Sequence, residues 1–106
     1  MKEESNIKTY VVDIDNTICQ TERGNYFGSK PIQDRIDKLN KLYDQGNKII
    51  YYTARGYRTG VNWRELTERQ LEEWGVKYHK LMMGKPYGNY YLDDNNILLK
   101  DFFNGK

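Results

Sequence analysis

One cysteine, Cys19, rules out an internal disulfide and suits a reducing compartment. Apolar runs are short, and none approaches the roughly 18 residues of a membrane-spanning helix. The opening Met1-Lys2-Glu3-Glu4-Ser5-Asn6 has no apolar core of the kind a signal peptide needs. The expectation is a soluble, cytoplasmic protein without a membrane partner. Neither sign of charge prevails, and a formal net charge of +2 is too slight to argue for a nucleic-acid partner. Repeats, linkers and low-complexity segments are missing too. What remains is one domain over residues 1–106, long enough for a modest core without disulfides or a structural metal. Hydrophobic residues make up only 38%, so the ten tyrosines carry much of the apolar area, their hydroxyls kept near water or a partner.

Residues 1–6 are polar and read as disordered. Ile7 to Ile14 reads as a strand, with Tyr10-Val11-Val12 apolar on both faces as in a parallel sheet. Residues 15–30 hold Gly24 and Gly28 among polar residues and read as a long loop with a short hairpin near Gly24-Asn25. Loops of that length in a compact domain are often functional. Pro31 suits the first turn of a helix, where its missing N–H costs nothing. Ile32, Ile36, Leu39 and Leu42 then share one helical face until Gly46 ends the helix. Lys48 to Tyr52 is β-branched and aromatic, a second strand. A second helix covers about Asn62 to Trp74, with Trp63, Leu66, Gln70 and Trp74 on one face and Gly75 after it. Val76 to Met83 reads as a third strand, Tyr90 to Leu92 as a fourth, and 95–103 as a closing helical turn or two. Alternating strands and helices predict an α/β fold with a parallel sheet and right-handed crossovers.

The first strand ends in Asp13-Ile14-Asp15. Two carboxylates one residue apart face the same side if the extended geometry persists, and their repulsion calls for a positive partner. Magnesium, a hard cation that takes carboxylate oxygens, meets that need. The plain alternative is a strand that leaves the core into a polar turn. Against it, Thr53 and the Asp93-Asp94 pair also stand at carboxyl ends of strands, where ligands of parallel sheets bind. Four carboxylates with Thr53 and Lys85 around one crevice suit magnesium and a phosphate. An aspartate there can attack phosphorus, a neighbouring carboxyl can move the proton, and Thr53 and Lys85 can hold the phosphoryl oxygens.

Asp13-Ile14-Asp15-Asn16-Thr17 resembles motif I, DxDxT, of the haloacid dehalogenase (HAD) superfamily. Thr53 after Ile49-Ile50-Tyr51-Tyr52 resembles motif II, Lys85 motif III, and Asp93-Asp94 the paired-aspartate form of motif IV. The four occur in the superfamily's order. The resemblance implies a single doubly wound, Rossmann-like parallel sheet flanked by helices. It also implies Asp13 as nucleophile, Asp15 as general acid/base, and Thr53 and Lys85 as phosphoryl-binding residues. Mg2+ would be held by Asp13, the backbone carbonyl of Asp15 and motif IV, with Asp94 direct and Asp93 through water. Asn16, Thr17 and Ala54, within the motifs, join Arg55 and Arg58 as candidate substrate contacts. A solvated loop is the plainer reading of the two arginines. Residues 15–30 would be the squiggle and flap. Neither gap between motifs is long enough for a cap, so the chain resembles the small capless phosphatases of bacterial capsule and surface-polysaccharide biosynthesis.

The implied reaction is magnesium-dependent hydrolysis of a phosphomonoester through an aspartyl phosphate, on a small phosphorylated substrate such as a sugar phosphate. Nucleotidase, polynucleotide or phosphoprotein phosphatase, and a non-catalytic binding or assembly module are the alternatives. Without a cap, only the flap and its Tyr26 and Phe27 cover the site. A homo-oligomer whose contacts border the site is therefore expected, since aromatics are enriched at interfaces.

Overall fold

A computed structural model describes residues 7–84 and the backbone of 90–92. The expectations for 1–6, for 95–103, and for Lys85, Asp93 and Asp94 fall outside the described residues.

The chain order is β1 (Thr9–Asp13), β2 (Cys19–Gln20), a 3-10 turn (Tyr26–Gly28), β3 (Lys30–Pro31), α1 (Gln33–Asp44), β4 (Lys48–Thr53), α2 (Arg64–Glu73), β5 (Lys80–Met83) and β6 (Tyr90–Leu92). Four strands form a sheet in the order β5-β4-β1-β6, and every pair in it is parallel. The chain steps outward from β1 to β4 to β5, then returns to lie on the other side of β1. Strand order therefore reverses at β1, which is where crevices open in parallel sheets. The α/β class and the parallel sheet are as the sequence predicts.

Register brings the site residues to one edge. Asp13 lies opposite Tyr52, and Thr53 opposite Met83, so β1, β4 and β5 end at nearly the same level. Alternation buries Val12, Ile49 and Tyr51 in a core shared with Ile36 and Leu39 of α1, Leu71 of α2, and Val76 and Leu81. Ile14, Ile18 and Cys19 continue that core beyond β1, so the segment bearing the aspartates is anchored from beneath. Backbone bonds from the N–H groups of Thr17 and Ile18 to the Ile14 carbonyl wind it into one tight turn. Burial raises the Cys19 thiol pKa above its ordinary value.

Three details differ from the sequence reading. Pro31 is in β3, not in a helix, because Ile32 donates its N–H to the Ile18 carbonyl (2.8 Å) and is held extended. The 15–30 segment carries the expected hairpin around Gly24-Asn25, but its paired strands lie farther out, with β2 and β3 antiparallel at its base and Cys19 opposite Pro31. The third strand is only Lys80–Met83, since Val76 and Lys77 spend their N–H groups elsewhere and the backbone reaches β4 from His79 onward. Val76 bonds to Leu71, Lys77 to the Asn40 side chain, and His79 to the Ile49 carbonyl. His79 itself is exposed, stacked on Tyr43 at 4.6 Å. Among the described residues no helix is long and apolar enough to cross a membrane.

Candidate active site

A cleft of about 310 Å³ opens beyond the carboxyl end of β1, lined by Asp13, Asp15, Asn16, Thr21, Arg23, Gly24, Tyr26, Ala54 and Arg55. The two motif I aspartates therefore share one cleft, and both are half-buried. Asn16 follows them with φ +64°, a left-handed conformation that asparagine tolerates, and it turns the chain toward the flap. Its side-chain oxygen accepts the N–H of Thr21 at 3.2 Å, which ties the flap's base to the turn.

Asp15 is the most heavily bonded group in the cleft. Arg55 reaches it through Nε, at 3.2 Å from Oδ1 and 3.0 Å from Oδ2, and through Nη2 at 2.8 Å from Oδ1. Thr21 donates to Oδ1 at 2.7 Å, and Thr53 to Oδ2 at 3.3 Å. The Arg55 side chain is fully buried and that of Asp15 is 20% exposed. An arginine can be buried this way only if its donors are satisfied, and here all are. Nη1 serves Thr67 Oγ1 (3.1 Å) and Gln70 Oε1 (2.7 Å) on α2, and the second Nη2 proton serves Ser29 Oγ (3.3 Å). The Tyr26 ring lies beneath the guanidinium, its centroid 4.7 Å from Cζ.

The hydroxyls close a ring. Thr21 spends its proton on Asp15, so Ser29, 2.6 Å away, donates to Thr21 while accepting from Arg55. Gln70 also donates to the Tyr26 carbonyl at 2.7 Å. Arg55 thus braces the end of β1, the flap and α2 together. This explains why α2 buries Thr67, Gln70 and Leu71, whereas the hydrophobic pattern put Trp63, Leu66 and Trp74 with Gln70. Trp63 instead precedes the helix and takes Tyr26 and Phe27 edge-on, at 5.0 and 5.4 Å between centroids.

The remaining candidates divide. Thr53 is buried at the end of β4, its hydroxyl accepting the Arg55 N–H at 3.1 Å. Ala54 is exposed and lines all three clefts described here. Thr17 is fully buried, and its hydroxyl finds no partner among the described residues. It packs behind the motif rather than lining the cleft. Arg58 lines a neighbouring cleft of about 500 Å³ with Tyr26, Tyr57 and Trp63. A third, of about 410 Å³, runs from Tyr52 and Thr53 past Tyr57 and Val61 to Gly84. Gly56 belongs between these because its φ is +80° and a Cβ there would run into the Val61 carbonyl oxygen.

Sequence reasoning did not foresee Thr21, Ser29, Thr67 and Gln70 as the shell around Asp15 and Arg55. The one local signal was a polar, uncharged pair at i, i+3 on α2, Thr67 and Gln70. Among the described residues no group of three or more His, Cys, Asp or Glu side chains is placed to hold a metal.

A parallel sheet with reversed strand order and an aspartate pair at its switch point define a phosphatase of the HAD type. A family model described as "Mitochondrial PGP phosphatase" matches residues 1–96, and the chain belongs to that family. No curated protein matches it. Among solved structures, a protein from Vibrio cholerae is 27% identical with a TM-score of 0.72, over 92% of this chain and 88% of that one. A chain in a structure of the Pnkp1/Rnl/Hen1 complex is 24% identical with a TM-score of 0.60. The match takes in 96% of the present chain but 36% of the other, so the likeness spans about a third of that longer protein. A second structure, titled as the Pnkp1/Rnl/Hen1 RNA repair complex, matches at 22% identity and a TM-score of 0.59.

Proposed function

We propose that this chain is a magnesium-dependent phosphomonoesterase that works through an aspartyl phosphate on Asp13, with a small phosphorylated metabolite such as a sugar phosphate as substrate. The observation that carries the reading is that two neighbouring carboxylates share one cleft beyond the carboxyl end of β1. Asp15 is clamped by Arg55, Thr21 and Thr53, while Asp13 lines the same cleft at the end of a rigid strand. One is oriented for proton transfer and the other presented for attack.

The donor set fits magnesium. With the Asp15 carboxylate committed to Arg55, its backbone carbonyl and the Asp13 carboxylate are hard oxygen donors at one turn, and Asp94 with Asp93 would complete the set. The ion, when bound, would neutralise charge on Asp13 and on the phosphoryl group. In the reaction itself an Asp13 oxygen forms a bond to phosphorus as the bond to the leaving oxygen breaks, and Asp15 gives that oxygen a proton. Oδ2 is the less crowded seat for this proton: it takes Arg55 Nε at 3.0 Å and a long Thr53 contact at 3.3 Å, whereas Oδ1 takes the shorter bonds from Arg55 Nη2 and Thr21. Water then attacks phosphorus, Asp15 recovers the proton, and inorganic phosphate leaves from Asp13. Lys85 would hold the phosphoryl oxygens, and Thr53 would join it by turning its hydroxyl away from the long 3.3 Å contact with Asp15.

The neighbouring cleft of about 500 Å³, walled by Tyr26, Tyr57 and Trp63 with Arg58 and Thr59, has room and mixed polarity for a small leaving group. A polynucleotide end is the rival suggested by the likeness to the RNA repair complex, and the net charge of +2 argues against it. Exposed Phe27 and Tyr57 beside these clefts support a homo-oligomer that covers them. Phosphate release measured over sugar phosphates, nucleotides, phosphopeptides and 3′-phosphorylated oligonucleotides tests the reading. Turnover of a small ester that stops in EDTA and returns with magnesium, with calcium a poor substitute, is expected because calcium's larger shell loosens in-line geometry. Full turnover in excess EDTA would remove the metal from the account.

A further inference from the structure

All five N–H donors of Arg55 are engaged within the protein, so that residue has nothing left for a substrate. The cleft still has to receive a phosphate beside the Asp13 carboxylate, and like charges repel. Arg23 is the other cation among the described residues lining it. Its side chain is exposed and has no hydrogen bond or ion pair among the described residues.

The backbone makes this placement unusual. Asn25 donates its N–H to the Glu22 carbonyl at 2.8 Å, closing a turn whose central residues, Arg23 and Gly24, have φ of +40° and +77°. Two positive φ angles mark a type I′ turn, whose central positions favour glycine, asparagine and aspartate. Arginine is strained there, since its Cβ crowds the following carbonyl. Glycine would suit the turn better, and no packing offsets the strain.

We propose that Arg23 is a substrate-binding catalytic residue, carried over the cleft on the β2–β3 hairpin so that its guanidinium takes phosphoryl oxygens of the ester at Asp13. This rests on Asp13 being the nucleophile. A planar fork matches two phosphoryl oxygens at once, and its charge counters what develops there as the ester bond breaks.

The test compares Arg23→Gly and Arg23→Lys with the wild type in melting temperature, in kcat/KM on an ester the wild type hydrolyses, and in calorimetric binding of inorganic phosphate. Arg23→Gly is expected to melt no lower than wild type yet lose about 10²-fold in kcat/KM, with weaker phosphate binding. Arg23→Lys, equally strained but charged, recovers part of the loss. Unchanged kcat/KM and phosphate affinity in Arg23→Gly would overturn the proposal. So would a loss of activity accompanied by a lowered melting temperature, which would make the residue structural. If the wild type releases no phosphate from any ester, the phosphatase reading fails on its own. The phosphate titrations then still decide whether Arg23 binds the anion.

Discussion

Asp13→Asn is expected to abolish phosphate release while leaving the melting temperature within the ordinary range of a surface substitution. The amide is a poor nucleophile and a poor ligand for a hard cation, so both functions assigned to this side chain go together. Asp13 closes β1 through backbone pairing with Tyr52, and the burial that anchors this strand comes from Val11, Val12 and Ile14. Asparagine is nearly isosteric and leaves that packing untouched. Kinetics on purified, folded variant decide the matter: turnover close to wild type would take the nucleophile role away from Asp13.

Arg55→Ala is expected to cost both stability and activity. The guanidinium is fully buried, and its removal strands Asp15, Thr67 and Gln70 without their shared donor. Breaking a buried pair from one side costs about 3–5 kcal/mol, a large share of the roughly 5–15 kcal/mol that holds a domain of this size together. The melting temperature should drop by about 12 °C or more. Activity should fall by about 10²–10⁴-fold in the fraction that stays folded, because Asp15 loses the group that orients it for proton transfer. Arg55→Lys keeps the charge but cannot span Nε to Nη2 or reach both α2 partners, so it should lie between wild type and alanine in each measurement. An alanine variant as stable and active as wild type would mean that the brace is ornamental.

The parallel sheet was legible from sequence because its strands are short apolar runs ending at polar residues, and their order follows from handed crossovers. Asp13 and Asp15 were legible because alternation along a strand and mutual repulsion are local facts. The role of Arg55 was not. A loop arginine after Thr53 reads as solvated or as a substrate contact, and only the folded chain brings Asp15, Ser29, Thr67 and Gln70 around it. The α2 face was misjudged for the same reason. Periodicity weighs tryptophan and leucine above threonine and glutamine, but a buried guanidinium reverses that ranking. Pro31 misled because its preference for a first helical turn is real, yet pairing across the flap's base fixes the chain two residues before α1 begins.

The most direct test of the account is to trap the phosphorylated protein. Wild type mixed with labelled substrate and quenched in acid should carry one phosphate, lost on treatment with hydroxylamine as an acyl phosphate is, and the labelled peptide should contain Asp13. Asp13→Asn should take up none under the same conditions. Label on a different residue, or steady turnover with no covalent phosphate at any quench time, would contradict the account.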